Sequence, residues 1–264
     1  MIFISTCIVD ISTRNGVIYD IWKTYSVGVD SLRRVVIVST GFTIKMPIEA
    51  ILRTGLGEGD AIIIVNSEPF KDRAVEVVEK LEEFIRSLVQ NIEIIRIILD
   101  PRDGFAENVR RLRRLIESYS PCKTYFLAVG GFRWLSILLF LTAHAIYTRK
   151  PLHNVYVEKL ILLLEESPLV LKHYPILEER IIEVPVKTRL ADVDNIHLYI
   201  LEAIANKYQR TKQIKRYLEL KGIKLSTKTI TKKIGQLIRK ELLEYEKRGR
   251  TFIYKLTTIA KTIA

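Results

Sequence analysis

Two short turns carry the residue types that could bind a nucleotide. The first follows the β-branched run 35–38, and the second follows the apolar run 125–129. Glycine lets backbone N–H groups approach a ligand, the start of a helix attracts anions, and arginine pairs with phosphate. The candidate ligand-binding residues are Ser39, Thr40, Gly41, Phe42 and Thr43 in the first turn and Gly130, Gly131, Phe132 and Arg133 in the second.

The two phenylalanines of these turns leave two interpretations open. Phe42 and Phe132 could stack on nucleotide bases, and either could equally be a core residue. Neither turn contains the glycine pattern of dinucleotide-binding domains or the P-loop pattern, which disfavours NAD and P-loop chemistry. The turns therefore predict a phosphate-containing ligand without identifying it.

Metal and redox chemistry have little support in the sequence. Cys7 and Cys122 lie far apart without CxxC spacing, and the four histidines form no metal-ligand pattern. We therefore expect no cofactor, and a reducing cytoplasm as the location. Residues 1–9 lack the basic start and the cleavage site of a signal peptide. The apolar run Trp134–Ile146 is too short to span a bilayer, so we expect no membrane association.

A second group of candidate residues lies near the carboxyl end. In the predicted helix 227–243, one apolar face holds Ile230, Ile234, Leu237 and Ile238, and the opposite face is cationic. Arg and Gln can contact base edges in the major groove, while Lys and Thr hold phosphates. The candidate DNA-binding residues are Thr227, Lys228, Thr229, Lys232, Gln236 and Arg239 in this helix and Lys247, Arg248 and Arg250 in a following hairpin.

The net charge of +12 is concentrated in this part of the chain. Residues 195–264 contain 17 Lys and Arg against 5 Asp and Glu, so they carry the whole +12, and residues 1–194 sum to zero. An excess of this kind favours a polyanionic partner, and double-stranded DNA is the usual one. Two alternatives remain: a cationic face used for protein docking, and a lysine-rich surface of a thermophilic protein.

The elements that position these residues alternate between strands and helices from Val35 onward. This order predicts an α/β fold with a mostly parallel, Rossmann-like sheet. Three helices and a basic β-hairpin then predict a C-terminal winged helix-turn-helix domain. In the helix 105–119, we expect Arg110, Arg113 and Arg114 to be exposed. The predicted boundaries are an N-terminal extension or edge hairpin (1–34), a ligand-sensing domain (35–186), a linker (187–194) and a DNA-binding domain (195–264).

The two turns together with this domain order resemble a known family. Ser39-Thr40-Gly41-Phe42 and Val129-Gly130-Gly131-Phe132-Arg133 are similar to the signature motifs of CARF domains, the CRISPR-associated Rossmann-fold sensors. A CARF domain followed by a winged helix resembles the archaeal CRISPR-associated transcriptional regulators. The resemblance covers residues 35–256. It implies a cytoplasmic homodimer that binds a cyclic oligoadenylate, with cyclic tetra-adenylate favoured, across its two-fold axis.

Within that family, the resemblance implies a regulator that binds the promoters of CRISPR loci in response to its ligand. The Trp134–Ile146 helix is a candidate dimer interface, although a helix buried within one domain would look the same. Two alternatives remain: a ring nuclease that slowly degrades the cyclic oligoadenylate, with Ser39, Thr40 and Arg133 orienting it, and a docking adaptor without DNA binding. Many CARF proteins carry a separate nuclease domain with an Arg-x4–6-His motif, but this sequence contains no such motif: the nearest pair, Arg149 and His153, is separated by only three residues. No cluster of carboxylates suggests a metal-dependent nuclease either.

Overall fold

The computed structural model describes residues 32–70, 72–163, 181–186, 189–249 and 251–264. Within these ranges, Arg33–Ala264 form one compact unit. The predicted N-terminal hairpin around residues 14–16 lies outside the described residues, and so does Arg250 of the predicted DNA-binding set.

A six-stranded sheet forms the centre of the first part of the chain. Its strands are β1 (Arg33–Ser39), β2 (Ala61–Ser67), β3 (Glu93–Leu99), β4 (Cys122–Ala128), β5 (Val155–Leu163) and β6 (Ile181–Val184). They lie in the order β3-β2-β1-β4-β5-β6, and all neighbours are parallel except β5 and β6. The predicted Rossmann-type sheet, mostly parallel, is confirmed, with an antiparallel strand at one edge.

Helices cover both faces of this sheet. They are α1 (Lys45–Leu52), α2 (Asp72–Leu88), α3 (Phe105–Glu117) and α4 (Arg133–Arg149), with a short 3₁₀ turn at Pro101–Asp103. Because side chains alternate along a strand, Val36 and Val38 of β1 pack in the layer that contains α1 and α2. Val35 and Ile37 point to the opposite layer, which contains α3 and α4. The sheet is therefore buried on both sides, as its β-branched runs predict.

The order of the strands reverses between β1 and β4. The chain runs from β1 outward through β2 to β3, and then returns to place β4 on the other side of β1. At such a switch point the two following connections leave in opposite directions, which opens a crevice at the carboxyl ends of the two strands. Both predicted ligand-binding turns follow these two strands directly, Ser39–Thr43 after β1 and Gly130–Arg133 after β4.

The C-terminal part consists of helices and one hairpin. Its elements are α5 (Asn195–Ala205), α6 (Thr211–Leu220), α7 (Thr227–Arg239), β7 (Leu243–Arg248), β8 (Thr251–Leu256) and α8 (Thr258–Ile263). Asp194 caps α5 by accepting a hydrogen bond from the His197 N–H, and Ser226 caps α7 by accepting one from the Thr229 N–H. Strands β7 and β8 pair antiparallel.

Helix α8, which the sequence analysis does not predict, packs against α3 and α4. This contact makes one expectation wrong. Arg113 is buried rather than exposed, because α8 covers its side of α3, and its guanidinium donates hydrogen bonds to Glu117 and to the main-chain oxygen of Ala264. Arg114, by contrast, is exposed, while Arg110 is half-buried.

Candidate functional site

Ser39 ties the two turns of the crevice together. Its side chain is fully buried at the end of β1. The Oγ atom accepts hydrogen bonds from the backbone N–H groups of Val129 (3.2 Å) and Gly130 (3.3 Å), and it donates to the Leu127 carbonyl oxygen at 3.5 Å. A serine hydroxyl has one donor and two acceptor positions, so this set uses all of them. Ser39 therefore shapes the crevice from beneath.

Thr40 is held in a similar way toward the neighbouring strand. Only 2% of the residue is exposed, and its Oγ1 accepts a hydrogen bond of 2.7 Å from Asn66 Nδ2. Its backbone N–H donates to the Val65 carbonyl oxygen at 3.1 Å. Asn66 belongs to β2, so these bonds fix the first turn against the strand on its other side. The Ser39 hydroxyl thus has no position left for a ligand, and the Thr40 hydroxyl is buried beside Asn66.

The glycines of the two turns touch backbone to backbone. A Cβ atom at Gly41 would lie 2.5 Å from the Gly131 nitrogen, and one at Gly131 would lie 2.6 Å from the Thr40 carbonyl oxygen. Real Cβ atoms do not approach other atoms so closely. Gly131 also has φ +86°, a conformation that favours glycine. A Cβ at Gly130 would be 3.2 Å from the Gly41 nitrogen. The glycines are therefore required by the contact between the turns.

The aromatic side chains of the turns point outward. Phe42 is 49% exposed and Phe132 is 42% exposed, so neither is a core residue. Their rings lie edge to face with centroids 6.5 Å apart. Thr43, beside Phe42, is exposed as well. Of the two interpretations left open by the sequence, the structure favours rings that are available for contact with another molecule.

Arg133 is the first residue of α4, and its side chain is exposed. Among the described residues it has no hydrogen-bond or ion-pair partner. The N-cap residue Phe132 makes no side-chain cap, and the first backbone bond of α4 runs from the Leu135 N–H to the Phe132 carbonyl oxygen. Among the described residues, the N–H groups of Arg133 and Trp134 therefore have no hydrogen-bond partner. A helix start with free N–H groups and a guanidinium beside it is suited to an anion such as phosphate.

The helix that follows the first turn also begins without a side-chain cap. Helix α1 begins at Lys45, and its N-cap residue Ile44 makes no side-chain cap either. The side chain of Lys45 is exposed. On the other side of the crevice, Trp134 donates a hydrogen bond of 3.1 Å from Nε1 to Ser67 Oγ, and its ring contacts Phe105. The crevice is thus bordered by two uncapped helix starts that each carry a cation.

The basic face of α7 has the orientation that its periodicity predicts. Ile230, Ile234 and Leu237 are buried, as expected for the inner face. Within the described part of the chain, the outer face has exposed cations without an ion-pair partner. The exposed predicted residues of this helix are Thr227, Lys228, Thr229, Lys232 and Arg239.

Three of the predicted DNA-binding side chains have partners within the protein. Gln236 is half-buried, and its Oε1 lies 3.0 Å from His197 Nε2 of α5. Arg248 Nε donates to Glu246 Oε1 at 2.9 Å, and Thr229 Oγ1 lies 2.9 Å from Ser226 Oγ in the helix cap. These residues would have to exchange a contact to reach DNA.

The remaining cations near α7 are also paired in part. Lys240 forms an ion pair of 2.9 Å with Asp192, and Lys233 forms one with Asp194. Lys247 on the hairpin is exposed. The segment before α5 therefore neutralises one edge of α7, while the edge with Lys228, Lys232 and Arg239 stays available.

Two findings on the described residues concern metal ligands and long apolar helices. No group of three or more His, Cys, Asp or Glu side chains among them is arranged to hold a metal ion. In the same part of the chain, no helix is both long and apolar enough to cross a membrane. The buried Cys122 is a poor nucleophile, because burial raises the pKa of its thiol to about 12.

Comparison with known proteins bears on the Rossmann-like part. Residues 34–160 match the model of the Csa3 CRISPR-associated Rossmann-like domain. This match supports the CARF part of the resemblance. It runs from β1 into β5, and so includes both crevice turns, while α5–α8 lie outside it. A search of the curated proteins finds no match.

The solved structures add little to the Csa3 match. The Holliday junction branch migration motor RuvB of Thermotoga maritima aligns with 14% sequence identity over 84% of this chain and 76% of that chain. A point variant of the same protein aligns with 13% identity over the same shares. Both have a TM-score of 0.19, too low for any conclusion about fold or function.

The Csa3-like domain contains site residues that the sequence analysis missed. Asn66 could have been found from the parallel sheet, because it is the next-to-last residue of β2, the strand beside β1. Lys45 had a weaker signal, as the first residue of the helix that follows the first turn. The sequence places Trp134 in an apolar helix, predicted either to be buried or to form a dimer interface, and nothing in it indicates the bond to Ser67.

Proposed function

We propose that this protein is a dimeric transcriptional regulator of CRISPR-associated genes. Its Rossmann-like domain senses a cyclic oligoadenylate, with cyclic tetra-adenylate favoured, and its C-terminal part binds promoter DNA as a winged helix-turn-helix. The observation that carries the proposal is the crevice at the switch point. Glycine contacts between Gly41 and Gly131 form its floor, Arg133 stands at its rim, and the surrounding domain matches a CRISPR-associated model.

A phosphate-rich ring fits the chemistry of this rim. Two helix starts without a side-chain cap, at Lys45 and Arg133, offer backbone N–H groups to phosphate oxygens, and the exposed Arg133 guanidinium adds positive charge. The exposed rings of Phe42 and Phe132 offer stacking faces to adenine bases. The hydroxyls of Ser39 and Thr40 are buried and each bonds to another part of the protein, so the proposed ligand contacts come from the rim.

Exposed apolar residues support the dimeric form of the proposal. Ile137 is 56% exposed and lies one turn after Arg133, so both are on the same side of α4. Phe42 and Phe132, whose rings contact each other, are exposed apolar residues of the crevice turns. A second copy packed here about a two-fold axis would cover these residues and complete a site for a symmetric ligand.

DNA binding is the proposed role of the basic C-terminal surface. Three helices followed by a hairpin suit a winged helix, in which α7 would enter the major groove and Lys247 would lie over the backbone. The exposed cations Lys228, Lys232 and Arg239 support this assignment. Protein docking by the same face remains the competing outcome. It predicts no binding to CRISPR-locus promoter DNA at low salt.

Ring-nuclease activity has less support than sensing. The buried Ser39 and Thr40 hydroxyls have partners within the fold, so they are not placed to orient a ribose 2′-OH. Arg133 remains the one side chain of that hypothesis on the rim. We expect cyclic tetra-adenylate to stay intact after prolonged incubation with the protein. Linear fragments would instead support ring-nuclease activity.

The sensor assignment is tested by Arg133→Ala. We expect the affinity for cyclic tetra-adenylate to fall about tenfold or more, since a hydrogen bond to a charged group contributes about 1.5–3 kcal/mol. Arg86→Ala is the matched control, because Arg86 is an exposed arginine in the last turn of α2. Equal affinities of the two variants, measured by calorimetry, would contradict the proposed ligand site.

A further inference from the structure

A buried ionic cluster lies between α3 and α4, outside the crevice. Arg113 Nη1 of α3 donates to both carboxylate oxygens of Glu117, at 2.9 and 2.8 Å. Arg149, in the last turn of α4, donates from Nε to Glu117 Oε1 at 2.9 Å. The side chains of Arg113, Arg149 and Glu117 are only 1%, 3% and 8% exposed. We call these three residues the α3–α4 ionic cluster.

The cluster is also bonded to the C-terminal helices. Arg149 Nη1 donates to the Ile263 carbonyl oxygen of α8 at 2.9 Å, and Arg113 donates to the main-chain oxygen of Ala264. Arg149 Nη2 lies 3.6 Å from Glu202 Oε2 of α5. Glu202 in turn accepts a hydrogen bond of 2.7 Å from the Tyr217 hydroxyl of α6. Contacts therefore run from the end of α4 into α8, α5 and α6.

One further bond joins the end of α4 to the segment before α5. Thr148 is fully buried, and its Oγ1 accepts a hydrogen bond of 2.9 Å from the Leu190 N–H. Leu190 lies near Asp192, whose carboxylate pairs with Lys240 at the end of α7. The last turn of α4 is therefore connected to the basic helix α7 in two ways. One connection runs through the segment before α5, and the other runs through α5 itself.

The charges of the cluster make it sensitive to the loss of Glu117. Two buried guanidinium groups depend on this carboxylate, with Glu202 as a second and more distant partner. Burial raises the pKa of Glu117, but the combined effect of Arg113 and Arg149 in lowering it is larger. The pKa therefore lies below the ordinary value, and the carboxylate stays ionised. Without it, two buried cations would face each other with little compensation.

Helix α4 connects this cluster to the crevice. Its first residue is Arg133 at the rim and its last is Arg149, a length of about 25 Å at about 1.5 Å per residue. Leu135, Leu138 and Leu139 are fully buried along it. A packed helix responds to force at one end as a unit, because close-packed interiors shift between discrete arrangements rather than deforming smoothly.

We propose that the α3–α4 ionic cluster is the joint that couples the crevice to the basic surface. A ligand that contacts the start of α4 shifts the helix, and the cluster passes the shift to α8, α5 and α6, which position α7. This inference rests on the proposed function, since it assigns the regulation of the same site. Glu117, Arg113 and Arg149 act through other residues and contact neither ligand.

The test is a coupling measurement on the full chain. The affinity for promoter DNA is measured with and without saturating cyclic tetra-adenylate, and the ratio of the two affinities is the coupling factor. For the parent protein we expect a factor of about 5–150, the usual range for linked sites. Glu117→Gln keeps the shape of the side chain but removes its charge, and the factor should fall toward one. Its affinity for the ligand alone should stay within about twofold of the parent value.

Two further variants keep the test decisive. Glu107→Gln is the matched control, because Glu107 is an exposed glutamate on the same helix, and it should keep the parent coupling factor. If Glu117→Gln does not fold, as judged by circular dichroism, Glu202→Gln replaces it. The side chain of Glu202 is 18% exposed, and within the cluster it pairs with Arg149. We therefore expect Glu202→Gln to lower the coupling factor without unfolding the chain.

The outcomes separate this inference from the proposed function. A folded Glu117→Gln protein that binds both partners with the parent coupling factor overturns the joint and leaves the sensor intact. A parent protein that binds both without any coupling overturns the joint as well. A parent protein that binds no cyclic oligoadenylate overturns the proposed function, and with it the regulation assigned here.

Discussion

The crevice and the basic C-terminal surface achieve their chemistry in opposite ways. In the crevice, the polar side chains of Ser39 and Thr40 face inward, and the floor is formed by backbone, because Gly41 and Gly131 have no side chains. On the basic surface, exposed side chains such as Lys228 and Lys232 supply the chemistry. Substitutions should therefore act on geometry at the crevice floor and on charge at the basic surface.

The largest effect is expected at the crevice floor. Gly131→Ala adds a Cβ atom 2.6 Å from the Thr40 carbonyl oxygen at φ +86°, so the turns must separate. Gly59→Ala is the matched control, because Gly59 has φ +82° but nothing within 4 Å of its Cβ position. We expect the control to cost about 1 kcal/mol of unfolding free energy and Gly131→Ala about 1–3 kcal/mol more. Urea denaturation measures both values.

The ligand affinities of the same two variants give a second test of the contact between the turns. Gly131→Ala should also lose measurable affinity for cyclic tetra-adenylate, while Gly59→Ala should keep it. If both variants bind the ligand equally well, the contact between the turns does not shape the site, and the geometric half of the comparison is wrong.

A smaller effect, on binding alone, is expected at the basic surface. The double variant Lys232→Ala/Arg239→Ala removes two exposed cations from α7, and folding should be unaffected because neither is buried. Affinity for promoter DNA should fall tenfold or more, and the salt dependence should become shallower by about 0.9 for each lost phosphate contact. Fluorescence anisotropy at several salt concentrations measures both quantities.

The control for this variant removes the same charge elsewhere. Lys80→Ala/Arg86→Ala takes two exposed cations from α2, far along the chain from α7. If it weakens DNA binding as much as the α7 variant does, the effect comes from net charge rather than from a defined surface.

The smallest effect is expected from pH at the contact between α5 and α7. Burial lowers the pKa of His197, and the nearby Asp194 carboxylate opposes this effect. Gln236 Oε1 opposes it as well, because it accepts a hydrogen bond from His197 Nε2. Because the folded protein holds this proton less tightly than the unfolded chain, stability should decrease as pH falls below about 6.5. Thermal unfolding between about pH 5 and 7.5 should show a smaller decrease for His197→Gln than for the parent.

The sequence predicts the sheet and the two turns because both depend on local patterns. Runs such as 35–38 are β-branched, and the alternation of strands with helices restricts the topology. The same patterns cannot reveal contacts between distant segments. The bond from Ser39 to the Gly130 N–H joins residues 91 positions apart. Arg113 was placed on an exposed face because the periodicity of one helix does not show that α8 will cover it.

The basic surface was predicted more completely for individual residues than for their partners. Charge and helical spacing place Lys228 and Lys232 outward, since exposed positions on an amphipathic helix follow from its apolar face. The bond of Gln236 to His197 depends on how α5 crosses α7, which spacing within either helix does not determine. The assignment of Arg250 to this surface remains a prediction, because Arg250 lies outside the described residues.

The central claim is that the crevice at the switch point binds a cyclic oligoadenylate. It is tested most directly by titrating the purified chain with cyclic adenylates of different ring size and measuring heat and stoichiometry. The account predicts tight binding of cyclic tetra-adenylate at one ring for each pair of chains, and weaker binding of the other ring sizes. The absence of binding by every ring size, or tight binding unaffected by Arg133→Ala, would contradict it.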